Sequence, residues 1–498
     1  MIQSYPKSIR LIVVGLLLGI LMSAMDNTIV TTAMGTIVSD LGGMDQFIWV
    51  TSAYMVAVMA GTPIFGKLSD MYGRKRFYIF GLILFLIGSV LCGFAGTITQ
   101  LSLFRVIQGI GGGALTPIAF AIVFDIFPPK SRGKATGLFG AVFGLSSIVG
   151  PMLGAFITDS IGWNWVFFIN VPIGIVSFIL IMAFYKESPE HRKQQIDWFG
   201  ALTLVGAVVC LMFALELGGG KYAWDSLQIL GLFFGFAVLL ISFLLIERKA
   251  SEPIISFDMF KVRLFATSSV VALFYGAAFI VVTVYIPIFV QGVYGGSATN
   301  SGLILMPMMI GSVIGSQSGG LLSTRMSFRN IMLISVTFFL VGMALLGTLS
   351  TDTPRGLLTF YNVITGFGVG FSFSTLNLSG IHHFDMRNRG SATSTLTFTR
   401  SLGMTLGITV FGIIQRNLFT NRINESLAGS GQNADLIGNP QNALTPENRK
   451  LIPEPMLDQI SEAMASSIGQ TFLWSLVAVG LAALFVLLMP KDRIDLNK

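Results

Sequence analysis

The chain has 498 residues, of which 53% are hydrophobic and only 11% are charged, and its mean hydropathy is +0.77. Soluble globular proteins carry about 25% charged residues, so this composition excludes that class and indicates a polytopic membrane protein. The net charge of +7 comes from Lys and Arg dispersed over short loops without a basic stripe, which excludes a nucleic-acid-binding protein.

Fourteen apolar runs are long enough to cross the hydrocarbon core as helices, which takes about 20 residues each. Lys and Arg collect on the cytoplasmic side of membrane proteins, and placing both termini there assigns about 23 of the 31 basic residues to cytoplasmic segments. The sequence therefore predicts an all-α polytopic protein of the cytoplasmic membrane, with spans at about 9–33, 46–66, 77–97, 100–126, 135–159, 164–185, 198–218, 227–246, 264–290, 299–324, 330–350, 355–380, 391–414 and 469–489.

The first span contains a carboxylate, Asp26. A charged side chain at the centre of a membrane costs on the order of 2.5–3.5 kcal/mol, so one that is retained needs a partner, a proton or a task. Asp26 shares a helical stripe with Gly15, Gly19 and Ser23, and small residues of this kind mark the face of a helix that packs into a bundle. We therefore expect Asp26 to face the protein interior.

A segment rich in glycine and charge follows the second span on the cytoplasmic side. Its glycines permit close approach and a tight turn, while Asp70 can pair with a cation or with a helix N-terminus. This pattern predicts a latch that closes an inner gate; a basic cytoplasmic loop that contains glycines is the alternative. The second half of the chain has only a degenerate copy with Thr324 in place of the acid, so the predicted latch is asymmetric. The candidate gate residues are Gly66, Asp70, Gly73 and Arg74.

The fourth span carries Arg105 on the same face as Gln108, Gly109 and Gly112. Arginine keeps its proton, so inside a membrane it requires an anion or a wet cavity. With the predicted span ends, Asp26 and Arg105 both lie roughly 7–8 Å below the outer boundary, so we predict that they pair or are coupled through water. Burial favours the protonated form of a carboxylate, and a nearby arginine favours the ionised form. We expect alternating access to change the balance between these two effects, so that Asp26 takes a proton outside and releases it inside, with Arg105 taking part. A purely structural ion pair is the alternative.

The fifth span contains Gly150, Pro151 and Gly154. Proline removes a backbone hydrogen bond and glycine allows tight contact between helices. The segment therefore predicts a bend that can seal the inward side of the protein. A kink that serves packing alone is the alternative.

The chain contains a weak internal repeat. Residues 101–113, LSLFRVIQGIGGG, align without gaps to 358–370, LTFYNVITGFGVG, at an offset of 257 residues (358 − 101), and the same offset places 132–136 on 389–393. Parallel halves of this kind are typical of transporters that bind substrate between the halves at mid-membrane. We predict a six-helix N-terminal half at 1–197, two inserted helices with a linker at 198–262, and a six-helix C-terminal half at 263–498, with a long extracellular loop at 415–468 and a short amphipathic helix at 456–466.

These segments resemble motifs of one family. Residues 66–76 resemble the loop signature of the major facilitator superfamily, G-x-L-a-D-r-x-G-r-k/r, with Met71 in place of a basic residue. This resemblance implies the major facilitator fold. Four further segments are similar to motifs of the fourteen-helix drug:proton antiporter branch: MDNTIV at 25–30, Arg105 with Gln108 and Gly109, GPMLG at 150–154, and RSLG at 400–403. The resemblance to this branch implies efflux of drugs in exchange for protons, with the proton gradient as energy source and no cofactor.

Several polar, aromatic and methionine residues are candidates for the wall of a substrate cavity. Met is adaptable and aromatic rings offer large apolar faces, so a lining of both suits varied amphipathic ligands. Because two arginines outnumber one aspartate inside the spans, neutral, zwitterionic or weakly acidic amphiphiles are at least as plausible as lipophilic cations. The candidate cavity residues are Tyr54, Gln108, Met306, Asn362, Asn377 and Arg400.

The resulting prediction is a proton-coupled antiporter, functional as a monomer, that exports drugs or other amphiphilic small molecules by alternating access. Its partners are these substrates, protons and the lipid bilayer. Export of an endogenous lipid, fatty acid or metabolite is the alternative, since the same coupling machinery would serve. A transporter-like membrane sensor is a more distant alternative, because it would need a soluble signalling domain. Enzyme activity and a metal site are not expected, and His382, His383 and Asp385 are interpreted as interfacial residues.

Overall fold

The computed structural model describes residues 6–42, 48–187, 197–219, 221–295, 298–428 and 454–494. Within these residues, fourteen helices are long and apolar enough to cross a membrane, which confirms the predicted number of spans. Helices are the expected form because lipid offers backbone N–H and C=O groups no hydrogen-bond partners. The membrane helices, α1 to α14 in chain order, are Lys7–Leu41, Ile48–Tyr72, Arg74–Gly93, Ile98–Ile126, Pro129–Ser160, Trp165–Phe184, Trp198–Leu217, Leu227–Glu247, Arg263–Gly292, Ala298–Leu322, Phe328–Leu346, Arg355–Ile381, Arg389–Ala428 and Glu454–Leu488.

Three helices are clearly longer than the sequence predicted. α1 continues to Leu41 and not to about 33. α13 continues to Ala428, and α14 already begins at Glu454, so residues 415–428 and 454–468 of the predicted loop are helical, while residues 429–453 lie outside the described part of the chain. The segment predicted as a separate amphipathic helix is the first part of α14. Hydropathy falls where a helix leaves the lipid, but its backbone hydrogen bonds continue, so an apolar run marks only the part of the helix inside the membrane.

The two halves have the same internal packing. In the N-terminal half α1 contacts α5 and α6, α4 contacts α2 and α3, and α3 contacts α6. In the C-terminal half the equivalent pairs are α9 with α13 and α14, α12 with α10 and α11, and α11 with α14. The repeat in the sequence is therefore a repeat of tertiary structure.

Two helix pairs make the most extensive contacts between the halves, and smaller contacts join α4 to α13 and α5 to α12. α2 packs along α13, and α5 packs along α10. The repeat equates α2 with α10 and α5 with α13, so these two contacts are related by the same pseudo-symmetry. The inserted helices α7 and α8 pack on each other, and α7 also contacts α2 and α13, beside one of the two contacts. An ion pair between Lys67 of α2 and Glu252, at 2.7 Å, attaches the segment after α8 to the cytoplasmic end of α2.

Candidate functional site

A fully buried polar network surrounds Asp26 inside the N-terminal half. Arg105 of α4 forms an ion pair with its Oδ2 atom through Nη1. Gln108 of α4 and Asn170 of α6 donate to its Oδ1 atom through their amide groups, at 2.7 and 3.1 Å. All four residues are 0% exposed. An ionised carboxylate has only acceptor atoms, and three donors around it match that form.

The guanidinium of Arg105 is held by several protein groups besides the aspartate. It donates to Oε1 of Gln108 at 2.7 Å and to the carbonyl oxygen of Val50 at 3.1 Å. The ring of Tyr54 lies against it, with the ring centroid 4.0 Å from Cζ, in a cation–π contact. A carboxylate, two acceptors and an aromatic face thus offset the desolvation of this buried cation.

Two members of the network were missed from the sequence. Ser89 of α3 accepts hydrogen bonds from Gln108 at 2.7 Å and from Asn170 at 3.3 Å, so it links α3, α4 and α6 beneath Asp26. The signal was present, because Ser89 and Asn170 stand among mostly apolar residues of their spans. A buried polar side chain needs a partner, and this requirement would have made both residues candidates.

The predicted pairing of Asp26 with Arg105 is confirmed, although the depths behind that prediction were wrong. α1 ends at Leu41, so Asp26 lies fifteen residues (41 − 26), or about 22 Å, from the outer end of its helix. Arg105 lies seven residues (105 − 98), or about 10 Å, from Ile98, where α4 begins. The side chains meet because α1 extends well beyond the start of α4 on the outer side.

The equivalent positions of the C-terminal half carry no charge. The offset of 257 places Thr283, Asn362 and Thr365 at the positions of the aspartate, the arginine and the glutamine. Asn362 donates to the carbonyl oxygen of Ile304 at 3.0 Å, and the two threonines donate to carbonyls of their own helices. The charged network therefore exists in one half of a symmetric pair.

The glycines predicted to shape α5 lie directly against α1. Gly150 contacts the side chain of Thr28, one half-turn beyond the buried carboxylate. A Cβ atom added at Gly154 would lie 2.8 Å from the carbonyl oxygen of Ile29, so only glycine permits this approach. Pro151 lies inside α5 between them. α1 thus carries the candidate proton site on one face and contacts the glycines of α5 with another.

Asp70, at the cytoplasmic end of α2, binds the first turn of α13 across the two halves. Its carboxylate accepts hydrogen bonds from the backbone N–H groups of Gly390 and Ser391, at 2.9 and 2.7 Å, and from Oγ of Ser391 at 3.0 Å. Arg74 lies 3.2 Å away on the next turn of α2. A carboxylate at a helix N-terminus satisfies free N–H groups and complements the helix dipole. Asp70 was predicted to pair with a cation or with a helix N-terminus, and it contacts both.

A second acid at this face was missed from the sequence. Asp125, at the cytoplasmic end of α4, forms ion pairs with Arg74 at 2.7 Å and with Arg389 of α13 at 3.4 Å. Arg74 also donates to the carbonyl oxygen of Met386, which precedes α13. In the sequence, Asp125 stands between the apolar run of α4 and a basic loop. An acidic residue at that position could have been recognised as a candidate for an ion pair. The three charges tie both halves together on the cytoplasmic side.

Backbone crossings between glycines add to these contacts between the halves. A Cβ atom added at Gly66 of α2 would lie 2.8 Å from the carbonyl oxygen of Gly390 on α13, and one added at Gly320 of α10 would lie 2.7 Å from Cα of Gly133 on α5. The repeat relates these two crossings. Gly73 has a φ of +110°, a conformation that favours glycine, and it makes the turn between α2 and α3. The cytoplasmic ends of the halves are thus closed on each other.

Four of the six candidate cavity residues are buried in contacts within the halves. Two of them contact the buried carboxylate network, and two donate to backbone carbonyls at 3.0 and 2.7 Å. Met306 and Arg400 are half-buried. The four residues in these contacts, which are 0–2% exposed, are Tyr54, Gln108, Asn362 and Asn377.

Comparisons with known proteins agree with this architecture. Residues 16–408 match the profile of the Major Facilitator Superfamily. The chain is 61% identical to Multidrug resistance protein 3 of Bacillus subtilis (strain 168), over 98% of this chain and 96% of that protein. It is 36% identical to Multidrug transporter protein MdtP of the same strain, over 98% and 94% of the two chains. Among solved structures it is similar to the proton:xylose symporter XylE, with a TM-score of 0.60, 15% identity and 95% of each chain covered. The chain therefore belongs to the Major Facilitator Superfamily.

Proposed function

We propose that this membrane transporter is a proton-coupled antiporter that exports drugs and other amphiphilic small molecules from the cytoplasm by alternating access. The observation that carries the proposal is the buried carboxylate of Asp26, paired with Arg105 in one half and without a charged counterpart at the equivalent positions of the other. The printed names of the two Bacillus relatives, which concern multidrug resistance and multidrug transport, support the substrate class.

The proton acts on the Asp26 network. Protonation converts an acceptor-only carboxylate into a group with one O–H donor, which cannot serve all the donors that now surround it. It also removes the charge that compensates Arg105. In the proposed cycle a proton enters from the outer side, weakens the contact of α1 with α4, and leaves on the cytoplasmic side when the ion pair forms again.

Helix α1 connects this event to the interface between the halves. It carries Asp26 on one face and contacts Gly150 and Gly154 of α5 on another. α5 in turn packs along α10 of the opposite half, where Gly133 crosses Gly320. A shift of α1 relative to α4 is therefore passed through α5 to a contact that joins the halves. Opening of that contact, together with release of Asp70 from α13, is the step that we assign to the inward-facing state.

The test uses purified protein in liposomes with an imposed pH gradient and a neutral fluorescent amphiphile, pyrenebutanol. Both probe flux and proton movement are recorded. We expect Asp26→Asn to bind the probe within about threefold of wild type and to lose at least tenfold of the coupled proton movement. Asp40→Asn is the matched control, because Asp40 lies on the same helix but is exposed and accepts a bond from Trp163 at 3.1 Å. Unchanged coupling in Asp26→Asn contradicts the proposal.

Removing the carboxylate leaves Arg105 buried without its counter-charge, and breaking a buried pair costs about 3–5 kcal/mol. A second variant, Asp26→Asn with Arg105→Gln, removes both charges and so avoids this penalty. It too must lose proton coupling while it keeps the folded state. Coupled proton movement in this double variant would refute the assignment of the proton site even if the single variant fails to fold.

A further inference from the structure

The second arginine inside the spans, Arg400 of α13, differs from Arg105 in how it is satisfied. The guanidinium of Arg105 is bound by a carboxylate and two oxygen acceptors. In the described part of the chain, the Nη2 atom of Arg400 is buried without a hydrogen-bond partner. Its guanidinium lies over the ring of Phe373, with Cζ 4.8 Å from the centroid. A cation inside a membrane protein requires an anion or a polar cavity, and an aromatic face alone does not replace either.

Phe373 is the centre of a small aromatic cluster to which both halves contribute. Phe143 of α5 stacks on it with 6.4 Å between ring centroids and 8° between the planes. Phe279 of α9 meets it edge-on at 5.9 Å and 88°. All three rings are half-buried. Arg400 and the three phenylalanines, which we call the arginine–phenylalanine site, thus combine a free N–H donor with flat apolar faces.

The arginine–phenylalanine site lies at mid-membrane. Arg400 is eleven residues (400 − 389) from the cytoplasmic start of α13, or about 16 Å, and Phe373 is eight residues (381 − 373) from the cytoplasmic end of α12, or about 12 Å. The hydrocarbon core is about 30 Å thick. Transporters of this construction bind their substrates near the midplane between the two halves. Because Phe143 and Phe373 belong to opposite halves, their stacking must change when the halves move.

Tight packing of α9 on α13 leaves the Arg400 side chain little choice of direction. A Cβ atom added at Gly276 of α9 would lie 3.2 Å from the backbone nitrogen of Met404, and one at Gly403 would lie 2.9 Å from Cα of Leu273. The backbones of α9 and α13 therefore touch at Arg400 and over the turn that follows it, and Gly276 also lies against the carbonyl oxygen of Arg400. The side chain extends away from this contact to α12, where it meets Phe373.

We infer that the arginine–phenylalanine site binds the anionic group of an amphiphilic substrate, with a carboxylate or sulfonate on Nη2 of Arg400 and an apolar body on the phenylalanine rings. This inference rests on the proposed function for the act of transport and assigns to it a preference for molecules that carry a negative charge over neutral and cationic ones. Arginine favours planar carboxylate groups because its N–H donors match their geometry. The site is separate from the proton network, whose own arginine is already paired.

The test compares three probes with one aromatic body and different charge: pyrenebutyrate, pyrenebutanol and a pyrenylbutyl trimethylammonium salt. Binding to purified protein is measured by fluorescence, and export is measured in liposomes with a pH gradient. We expect wild type to bind pyrenebutyrate at least tenfold more tightly than the cationic probe. A hydrogen bond to a charged group accounts for about a 10- to 100-fold change in affinity, so Arg400→Gln should weaken pyrenebutyrate by that factor and pyrenebutanol by less than about threefold.

Arg355→Gln is the matched control, because Arg355 also lies over an aromatic ring, that of Tyr294 at 5.6 Å, but is exposed at the outer end of α12. It should leave all three affinities unchanged. Arg400→Lys keeps the charge and should restore most of the preference for pyrenebutyrate. Equal losses for the anionic and neutral probes in Arg400→Gln, or a wild-type preference for the cation, overturn the inference. The wild-type comparison decides the matter even if no Arg400 variant folds.

Two further readings separate the source of the anion and the two proposals. Competition by laurate tests whether the bound anion is a fatty acid. If laurate displaces pyrenebutyrate at equal concentration, the site binds lipid-like anions. If laurate displaces it only at tenfold excess, the site binds aromatic anions. Charge-selective binding without pH-driven export would refute the proposed antiport and leave this site standing. Proton-coupled export of pyrenebutanol without any anion preference would refute the site alone.

Discussion

Replacing Asp70 by asparagine should open the cytoplasmic side of the transporter. The carboxylate accepts three hydrogen bonds from the start of α13, at 2.7–3.0 Å, and lies 3.2 Å from Arg74. Asparagine has one acceptor oxygen, and its amide hydrogens would face N–H donors. The change therefore removes about two charge-assisted hydrogen bonds worth roughly 1.5 kcal/mol each, or about 3 kcal/mol in total.

All of this loss falls on the closed state, because the bonds of Asp70 to α13 join the two halves. A change of about 3 kcal/mol corresponds to a shift of roughly 150-fold in the equilibrium between closed and open inner gates. A wild-type protein that is closed ten to one would become open by about fifteen to one. The affinity for substrate at mid-membrane should change much less, since Asp70 lies at the cytoplasmic end of α2.

The distance between spin labels on the two halves measures this equilibrium. Arg76 and Arg325 are exposed on the cytoplasmic side of the N-terminal and C-terminal halves, and cysteines at these positions accept labels. Asp258→Asn is the control, because it removes a carboxylate whose ion pair with Lys261 is almost fully exposed. We expect Asp70→Asn to lengthen the main distance and Asp258→Asn to leave it as in wild type. The same distance distribution in Asp70→Asn and wild type would refute the latch.

Two further changes test the contacts around α1 and α2. Gly150→Val should cost about 1–3 kcal/mol of stability by forcing α5 away from Thr28, and it should lower export in liposomes. Gly231→Val is the control and should not lower export, because a Cβ atom added at Gly231 meets nothing within 4 Å. Equal export by both variants would contradict the link between α1 and α5. A double-mutant cycle of Lys67→Gln and Glu252→Gln, read as thermal unfolding in detergent, should give a coupling energy of about 1 kcal/mol for this partly exposed pair. A coupling energy of zero would show that this ion pair does not fasten the inserted segment to α2.

The spans and the central ion pair could be predicted from the sequence, because both follow from the cost of polar groups in lipid. Hydropathy identifies segments that must be helical, and a membrane arginine and aspartate must find compensation, so Asp26 and Arg105 were each other's best partners. The helix ends could not be predicted in this way. The part of α13 from 415 to 428 lies outside the range where hydropathy reports, and it is packed into the structure through Phe419 and Ile423, which are 2% and 4% exposed.

For contacts between distant segments, the sequence predicts the type of partner that a residue requires but not which partner it finds. The sequence showed that Asp70 needed a cation or a helix N-terminus, but the start of α13 lies 320 residues away, and its choice depends on which helices cross between the halves. Asp125 was missed for the same reason, since its partners Arg74 and Arg389 come from both halves. Asn170 needed only the rule that a buried polar residue has a partner.

In the proposed antiport cycle, a latch with a single acid limits the energy needed to open the inner gate. Both glycine crossings are present, so the two halves can close symmetrically. The acid of the latch, however, is found on α2 and not at the corresponding position after α10. Thr324 occupies that position and donates to the carbonyl oxygen of Leu321 in its own segment at 2.8 Å. Moving one charge across a membrane potential of 100 mV supplies about 2.3 kcal/mol. The Asp70 latch, at about 3 kcal/mol, is of the same order. A second acid in place of Thr324 would roughly double the energy that holds the gate closed, to about 6 kcal/mol, far above what the movement of one charge supplies.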